Sequence, residues 1–224
     1  MRIALIGFGK MGREIDAIAR AQGETIARVF DSRTPVKPQA LEGIDVCIEF
    51  STPEAALANI RACIEAKRDI VVGTTGWLEH LPKLKDDVKD SGLLYSANFS
   101  LGMNIFQRIV SHAAALIEKA PEYDPFIHEV HHRQKKDSPS GTAIRLANIL
   151  LDTIGRKNKD TLSISSNRAG LVTGTHTVAF DSEADLIELR HTAKNRRGFA
   201  LGALTAARWL HGRKGVYTMD DVEL

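Results

Sequence analysis

A short apolar run, Arg2-Ile-Ala-Leu-Ile-Gly-Phe-Gly-Lys-Met-Gly12, leads directly into glycines at positions 7, 9 and 12. A strand that ends in G-x-G-x-x-G restricts the fold more than any other feature of this chain. Gly7 has to make a tight turn, Gly9 has to let a pyrophosphate approach the backbone, and Gly12 has to let a helix pack close to the strand. Met11, Ile15, Ile18 and Ala19 then recur at helical spacing, and residues 25–30 read as a second strand that stops at Asp31. Asp31 lies 19 residues beyond Gly12, about where an acid hydrogen-bonds the adenosine ribose in NAD sites. Strand, turn, helix, strand and acid in that order predict a dinucleotide-binding fold. Asp31 would repel a 2′-phosphate and Arg33 could accept one, so the expectation is NADH preferred, NADPH possible.

The alternation continues. Strands are expected at 45–50, 69–73 and 93–96, with helices at about 53–67, 78–90 and 101–119. This is the pattern of a doubly wound parallel sheet. In such sheets the ligand crevice lies at the carboxyl ends of the strands. Gly73-Thr74-Thr75 and Ala97-Asn98-Phe99-Ser100 occupy such ends and join Gly7, Phe8, Gly9, Lys10, Met11, Gly12 and Asp31 as candidate cofactor residues. For Gly73 to Thr75 the alternative is an ordinary strand-to-helix turn.

From Pro121 the pattern changes: residues 126–132, 161–166, 172–180 and 185–191 look like strands, with one helix among them. The predicted architecture is therefore α/β, an N-terminal Rossmann-like doubly wound parallel sheet plus a second α+β lobe with a mixed sheet. Residues 1–100 and 197–224 would form the dinucleotide-binding domain, and 101–196 the substrate-binding and oligomerisation domain. A helical pattern at 198–211 would return the chain to the first domain.

The second lobe holds the densest chemistry. His128-Glu-Val-His-His-Arg-Gln-Lys-Lys-Asp-Ser-Pro-Ser-Gly-Thr-Ala143 gathers histidines and lysines just ahead of a helix whose apolar face includes Ala143, Ile144, Leu146, Ala147, Leu150 and Ile154. A helix start offers unpaired N–H groups and a positive dipole end, so Ser138 to Thr142 could hold a carboxylate or phosphate. The alternative is that Ser140 or Thr142 caps its own helix. Three histidines within five residues raise the question of a metal. Strand alternation points His131 and His132 to opposite faces, and no H-E-x-x-H helix is present, so no metal is expected.

Composition excludes several classes. With 30 Lys and Arg against 28 Asp and Glu, the net charge of +2 gives no basis for nucleic-acid or membrane binding. No stretch is long and apolar enough to span a bilayer, and the first residues read as a strand and not a signal peptide, so a cytoplasmic protein is expected. Cys47 and Cys63 lack metal-ligand spacing and are read as reduced, structural thiols.

The segment 131–142, together with the glycine turn at 7–12, Gly73-Thr-Thr-Gly-Trp77, Ala97-Asn-Phe-Ser100 and Arg196-Arg-Gly-Phe-Ala-Leu-Gly-Ala203, closely resembles the 4-hydroxy-tetrahydrodipicolinate reductases over nearly the whole chain. The resemblance implies NAD(P)H-dependent reduction of a cyclic imine dicarboxylate in the diaminopimelate and lysine pathway. It implies His131 as catalytic histidine and Lys135 as proton donor. His132 and the Gly141-Thr142 backbone would hold the substrate carboxylates, and the strand-end residues named above would bind the dinucleotide. It also implies a homotetramer assembled through the second lobe's sheets, with that lobe closing over the cofactor. By that resemblance the chain is short for the family, with a trimmed loop at about 32–44 and compact hairpins in the second lobe. Two rival readings are a different nicotinamide oxidoreductase, which would not need the histidine and lysine cluster, and a non-catalytic dinucleotide-binding regulator, which would not need a proton donor beside an anion cradle.

Overall fold

The computed structural model describes residues 1–155 and 157–223. The described residues divide into two compact units, Met1–Leu101 with Arg196–Leu224, and Gly102–Asn195. The first unit runs β1 (Arg2–Ile6), α1 (Lys10–Ala21), β2 (Thr25–Phe30), β3 (Val46–Glu49), α2 (Pro53–Glu65), β4 (Asp69–Val72), α3 (Leu81–Asp87) and β5 (Gly92–Tyr95). The second unit follows with α4 (Leu101–Ile117), β6 (Asp124–His131), α5 (Gly141–Thr153), β7 (Ser163–Arg168), β8 (Thr175–Asp181) and β9 (Leu186–Thr192). The chain then completes the first unit with α6 (Arg197–Leu210) and β10 (Gly215–Thr218).

The first sheet has the order β10-β5-β4-β3-β1-β2, and every pairing in it is parallel. Parallel sheets are buried on both faces, which is why the central strands read as unbroken apolar runs. Alternate residues go to opposite sides. Ile3, Leu5, Val46, Ile48 and Leu94 pack with α1 and α6, while Ala4, Ile6, Cys47, Ile70, Val72 and Leu93 pack with α2 and α3. Cys47 and Cys63 are both buried and free. The order reverses around β1, and that switch point is where an open α/β sheet opens a crevice at its carboxyl edge. Gly7, Asp31, Gly73 and Ala97 all stand just beyond strand ends along that edge.

The second unit is a mixed four-stranded sheet, β7-β6-β8-β9, with β6 and β7 parallel and the other pairs antiparallel. Phe106, Val110 and Ala114 of α4 and Leu146 and Leu150 of α5 cover Ile127, Val178 and Phe180 on the same apolar face. Among the described residues no helix is long and apolar enough to cross a membrane.

Some boundaries differ from the sequence pattern, each for a local reason. The helix expected at about 78–90 is a 3-10 turn, Leu78–His80, followed by the short α3. Pro82 sits in the first turn of α3, where its missing N–H costs nothing, and a longer helix would place it in the interior. β7 begins two residues later than expected because Asn158 folds back, its side-chain oxygen accepting the N–H groups of Asp160 and Thr161. The short edge strand β10 is not singled out by the pattern. It pairs with β5, and the Asp69 carboxylate secures this region by accepting from Gly92 N–H (2.7 Å) and Gly212 N–H (2.9 Å).

Gly202 sets how closely α6 approaches, because a Cβ there would lie 1.7 Å from the Phe99 carbonyl oxygen. Gly202→Ala is expected to destabilise the protein by about 1–3 kcal/mol or more. The urea midpoint at constant m-value checks this, and an unshifted midpoint would show that α6 can move away freely.

Candidate active site

In the first unit the glycine turn divides its work among its residues. Gly7 has φ +93°, and a Cβ on it would lie 2.2 Å from the Phe50 carbonyl oxygen. A Cβ on Gly12 would lie 2.2 Å from the Gly7 carbonyl oxygen. Around Gly9, by contrast, nothing lies within 4 Å of that position. The two outer glycines are thus required by protein packing, and the middle one leaves open space at the N-terminus of α1. Gly9 is the N-cap of α1 and offers no side-chain cap, so the helix start can receive an anion. Phe8, Lys10 and Met11 lie in the same turn and the first residues of α1.

The neighbouring loops are fixed just as tightly. A Cβ on Gly73 would lie 2.1 Å from the Phe50 ring, Thr74 Oγ1 accepts from Ser51 N–H at 2.9 Å, and buried Trp77 donates to the Thr74 carbonyl at 2.8 Å. Ala97 to Ser100 is a self-bonded turn in which Asn98 N–H donates to Ser96 Oγ and Ser100 N–H to Asn98 Oδ1. Asp31 accepts from the Arg33 backbone N–H (2.9 Å) and guanidinium (3.0 Å), and these bonds lower its carboxyl pKa. Among the described residues this edge has the glycines, the N-terminal dipole and the acid that a dinucleotide needs.

In the second unit, β6 alternates so that Ile127, Glu129 and His131 face inward. Strand register then assembles a polar cluster at the end of an otherwise apolar face. Glu129 stands opposite Ser166 of β7 and His176 of β8, and His131 stands opposite Arg168. Glu129 is 0% exposed, and its Oε1 accepts from Ser140 N–H (2.9 Å), Ser166 Oγ (2.7 Å) and Arg168 Nη2 (2.8 Å). Its Oε2 faces His131 Nδ1 at 3.3 Å and His176 Nε2 at 3.5 Å. The two imidazoles meet edge-on, with centroids 5.0 Å apart.

Ser140 links this cluster to α5. Its Oγ accepts from Ala143 N–H at 3.1 Å, which makes it the N-cap, and lies 3.2 Å from His176 Nε2. The helix cap weighed from the sequence is therefore present. Gly141 and Thr142 are the first two residues of α5, and nothing lies within 4 Å of where a Cβ on Gly141 would be. Lys135 lies in the turn after β6, its ammonium held by both oxygens of Asp137 at 2.8 and 2.9 Å. His132 falls just past the end of β6 and is half-buried, while Arg133 and Lys136 are exposed. His128 faces the other side of the sheet, with Nδ1 2.8 Å from Ser165 Oγ.

Burial would raise the Glu129 carboxyl, but the bonds from Ser140, Arg168 and Ser166 outweigh it and bring it down to about 2. Burial takes His176 down to about 4, helped by its basic neighbours, and also lowers His131 against the pull of Glu129. Both rings are thus neutral near pH 7, beside a charged carboxylate. The nitrogens and oxygen of Glu129, His131 and His176 lie within 4.8 Å of one another, a spacing that could fit a small divalent metal. The Arg168 guanidinium on the same carboxylate opposes that use, because it already supplies the positive charge.

Two family models divide the chain between them: the N-terminus of dihydrodipicolinate reductase matches residues 1–99 and its C-terminus matches residues 102–222. The chain belongs to the dihydrodipicolinate reductase family. A 4-hydroxy-tetrahydrodipicolinate reductase from Christiangramia forsetii is 41% identical, covering 99% of this chain and 97% of the relative. Another from Archaeoglobus fulgidus is 36% identical, with 99% of each covered. Among solved structures, the dipicolinate-bound dihydrodipicolinate reductase of a Paenisporosarcina species superposes with a TM-score of 0.80 at 23% identity, covering 100% of this chain and 99% of that one. An amine dehydrogenase from Mycobacterium smegmatis shares the fold at a TM-score of 0.63 and 11% identity, covering 100% of this chain and 96% of that one. As a dihydrodipicolinate reductase family member, the chain is an oxidoreductase that works with a nicotinamide dinucleotide.

The sequence reading missed Glu129, Ser166, Arg168 and His176. Glu129 was within reach, since it lies two residues before His131 and so shares a strand face with it. The others come together only through strand pairing across more than thirty residues of chain, as in the Glu129–Ser166 bond (|i−j| = 37).

Acid should destabilise the protein in two stages. His176 is held neutral, so its contribution is complete above pH 6.5 and disappears as pH falls through about 4. That is a loss of roughly 3 kcal/mol. Glu129 is held ionised, so its contribution is complete above 4.5 and is lost towards about 2. Urea midpoints measured across pH should show the upper stage shrinking in His176→Asn and the lower stage kept. An identical profile in the mutant would rule out this ring as the source.

Proposed function

We propose that this chain reduces 4-hydroxy-tetrahydrodipicolinate to tetrahydrodipicolinate with NADH or NADPH, in the diaminopimelate and lysine pathway. The observation that carries the proposal is the second unit's cluster, in which a histidine pair and a lysine lie beside the N-terminus of α5 in a chain that matches the family over both its parts. The names of the two relatives supply the substrate, and the ligand of the Paenisporosarcina enzyme supplies its chemical class, a ring with two carboxylates.

The chain's own groups suit each requirement. The bound dinucleotide would supply the hydride, held by residues 7–12, Asp31, 73–75 and 97–100. Loss of the 4-hydroxyl as water gives a conjugated imine, and hydride addition to it leaves electron density that must be protonated. Lys135 is the proposed donor, and the two-oxygen contact with Asp137 places its ammonium at the turn. Asp137 is itself lowered by Lys135 and by the Gly141 backbone. A substrate carboxylate arriving at Gly141 and Thr142 would replace Asp137 on the Gly141 N–H and release Lys135 for transfer. His132 is the proposed second carboxylate partner. His131, neutral through burial, can polarise the ring or take up a proton.

NADH is the proposed preference, because Asp31 offers a carboxylate to a ribose hydroxyl and ties up Arg33, the cation that would otherwise attract a 2′-phosphate. A cytoplasmic location and a homotetramer belong to the same reading. The tetramer is supported by Leu186 and Ile187, exposed on the edge strand β9.

The test generates the substrate in the cuvette from pyruvate and aspartate semialdehyde with the upstream synthase and follows NADH absorbance. Wild type should oxidise NADH only when both precursors are present, and Lys135→Ala should lower kcat by roughly 100-fold or more. Near-native turnover in that variant would remove Lys135 from the chemistry. Absence of oxidation with either cofactor, in protein shown to bind one, would overturn the reductase reading. For the cofactor, kcat/KM should favour NADH, and Asp31→Asn should move the ratio towards NADPH by about tenfold, the equivalent of roughly 1.4 kcal/mol. A wild type that strongly prefers NADPH would overturn the role given to Asp31.

A further inference from the structure

Glu129 divides its two oxygens unequally. Oε1 accepts from Ser140 N–H, Ser166 Oγ and Arg168 Nη2, whereas Oε2 is buried with no donor in hydrogen-bonding geometry among the described residues. The nearest polar atoms facing Oε2 are His131 Nδ1 at 3.3 Å and His176 Nε2 at 3.5 Å. An ionised carboxylate can only accept, so a bare nitrogen there would set lone pair against lone pair. His176 Nε2 has another neighbour in Ser140 Oγ at 3.2 Å. His131 Nδ1 is buried and has no other partner among the described residues. Its proton therefore belongs on the side facing Glu129. The opposite edge of the same ring faces Gly174, where a Cβ would come within 3.0 Å of Nε2, so a side chain at that position would crowd this nitrogen.

We propose that Glu129 is a positioning residue that fixes His131 as the Nδ1–H tautomer and leaves Nε2 as the bare nitrogen available to the reaction. The catalytic half of this proposal rests on the reductase reading above. The tautomer half rests only on the geometry of β6, β7, β8 and the start of α5. The logic is that of a carboxylate orienting a catalytic imidazole, where replacing the acid by its amide installs the wrong tautomer without moving the ring.

Glu129→Gln is the discriminating substitution. Its Oε1 can still accept from Ser140, Ser166 and Arg168, so the cradle at α5 is kept, but its amide N–H₂ now faces His131 and demands an acceptor at Nδ1. The full-length protein, labelled with ¹⁵N-histidine and held at pH 8, is examined by two-bond ¹H–¹⁵N correlation, with His131 assigned from the spectrum of His131→Asn. The wild type should show a protonated Nδ1 and a bare Nε2, and Glu129→Gln should show the reverse. Its kcat should fall by about 10–100-fold, the scale of lost outer-shell orientation, with KM changed by less than about threefold. A wild-type His131 protonated at Nε2 overturns the proposal, as does a switched tautomer with undiminished kcat. If the variant does not fold, the wild-type spectrum alone decides the tautomer. That spectrum needs no turnover, so an Nδ1–H ring in a protein inactive on the cyclic imine would refute the reductase reading and leave the assignment standing.

Discussion

A carboxylate without access to water must find its hydrogen bonds inside the protein, and Glu129 finds them on one strand and at a helix start. Leaving an ionised acid buried and unpaired costs several kcal/mol, so this one side chain fixes what surrounds it. Ser166 and Arg168 bring β7 to it, and the Ser140 backbone brings the start of α5. Arg168 also donates to the Asp137 carbonyl at 2.5 Å, which pins the turn that carries Lys135. The helix start and the lysine turn, adjacent in sequence, are thus both referred to the same buried charge. Burial keeps the two histidines beside it neutral against the pull of this anion, while the bonds from Ser140, Arg168 and Ser166 keep the acid ionised.

The first unit meets the equivalent problem with backbone. The carboxyl edge of its sheet is shaped by glycines that admit no side chain at Gly7 and Gly12, and by a Thr74–Ser51 bond that locks adjacent loops. Glu49, also fully buried, accepts from the Ser51 backbone and hydroxyl and from Asn59, holding the loop after β3. In both units a buried acid at or near the end of a strand organises a turn, and Glu129 is in addition flanked by two ionisable rings.

What could be read from the sequence follows the distance over which each feature is encoded. The glycine turn, the alternation of strands and helices in the first unit and the change of pattern near Pro121 are local, and all correspond to elements of the structure. The helix start at Gly141 was also local, since Ser-Pro-Ser-Gly-Thr stands immediately before an apolar helical stripe. The polar cluster was only half legible. His131 stood out by type, but its neighbours Arg168 and His176 are recruited by register between strands, and a one-residue slip would have turned both away. β10 was hidden for a similar reason, because four half-buried residues at a sheet edge carry too little pattern to declare a strand.

The first unit is assembled from two stretches of chain with the whole of the second unit between them. Ala203, Leu204 and Leu210 of α6 complete the apolar layer over Ile3, Leu5 and Val46, and Gly212 supplies one of the two bonds to Asp69. During synthesis the continuous second unit is fully available before the residues that close the first have left the ribosome. The N-terminal half therefore emerges with one face of its sheet covered by α1 but not yet by α6, and this chain reverses the usual order in which the amino-terminal module is finished first.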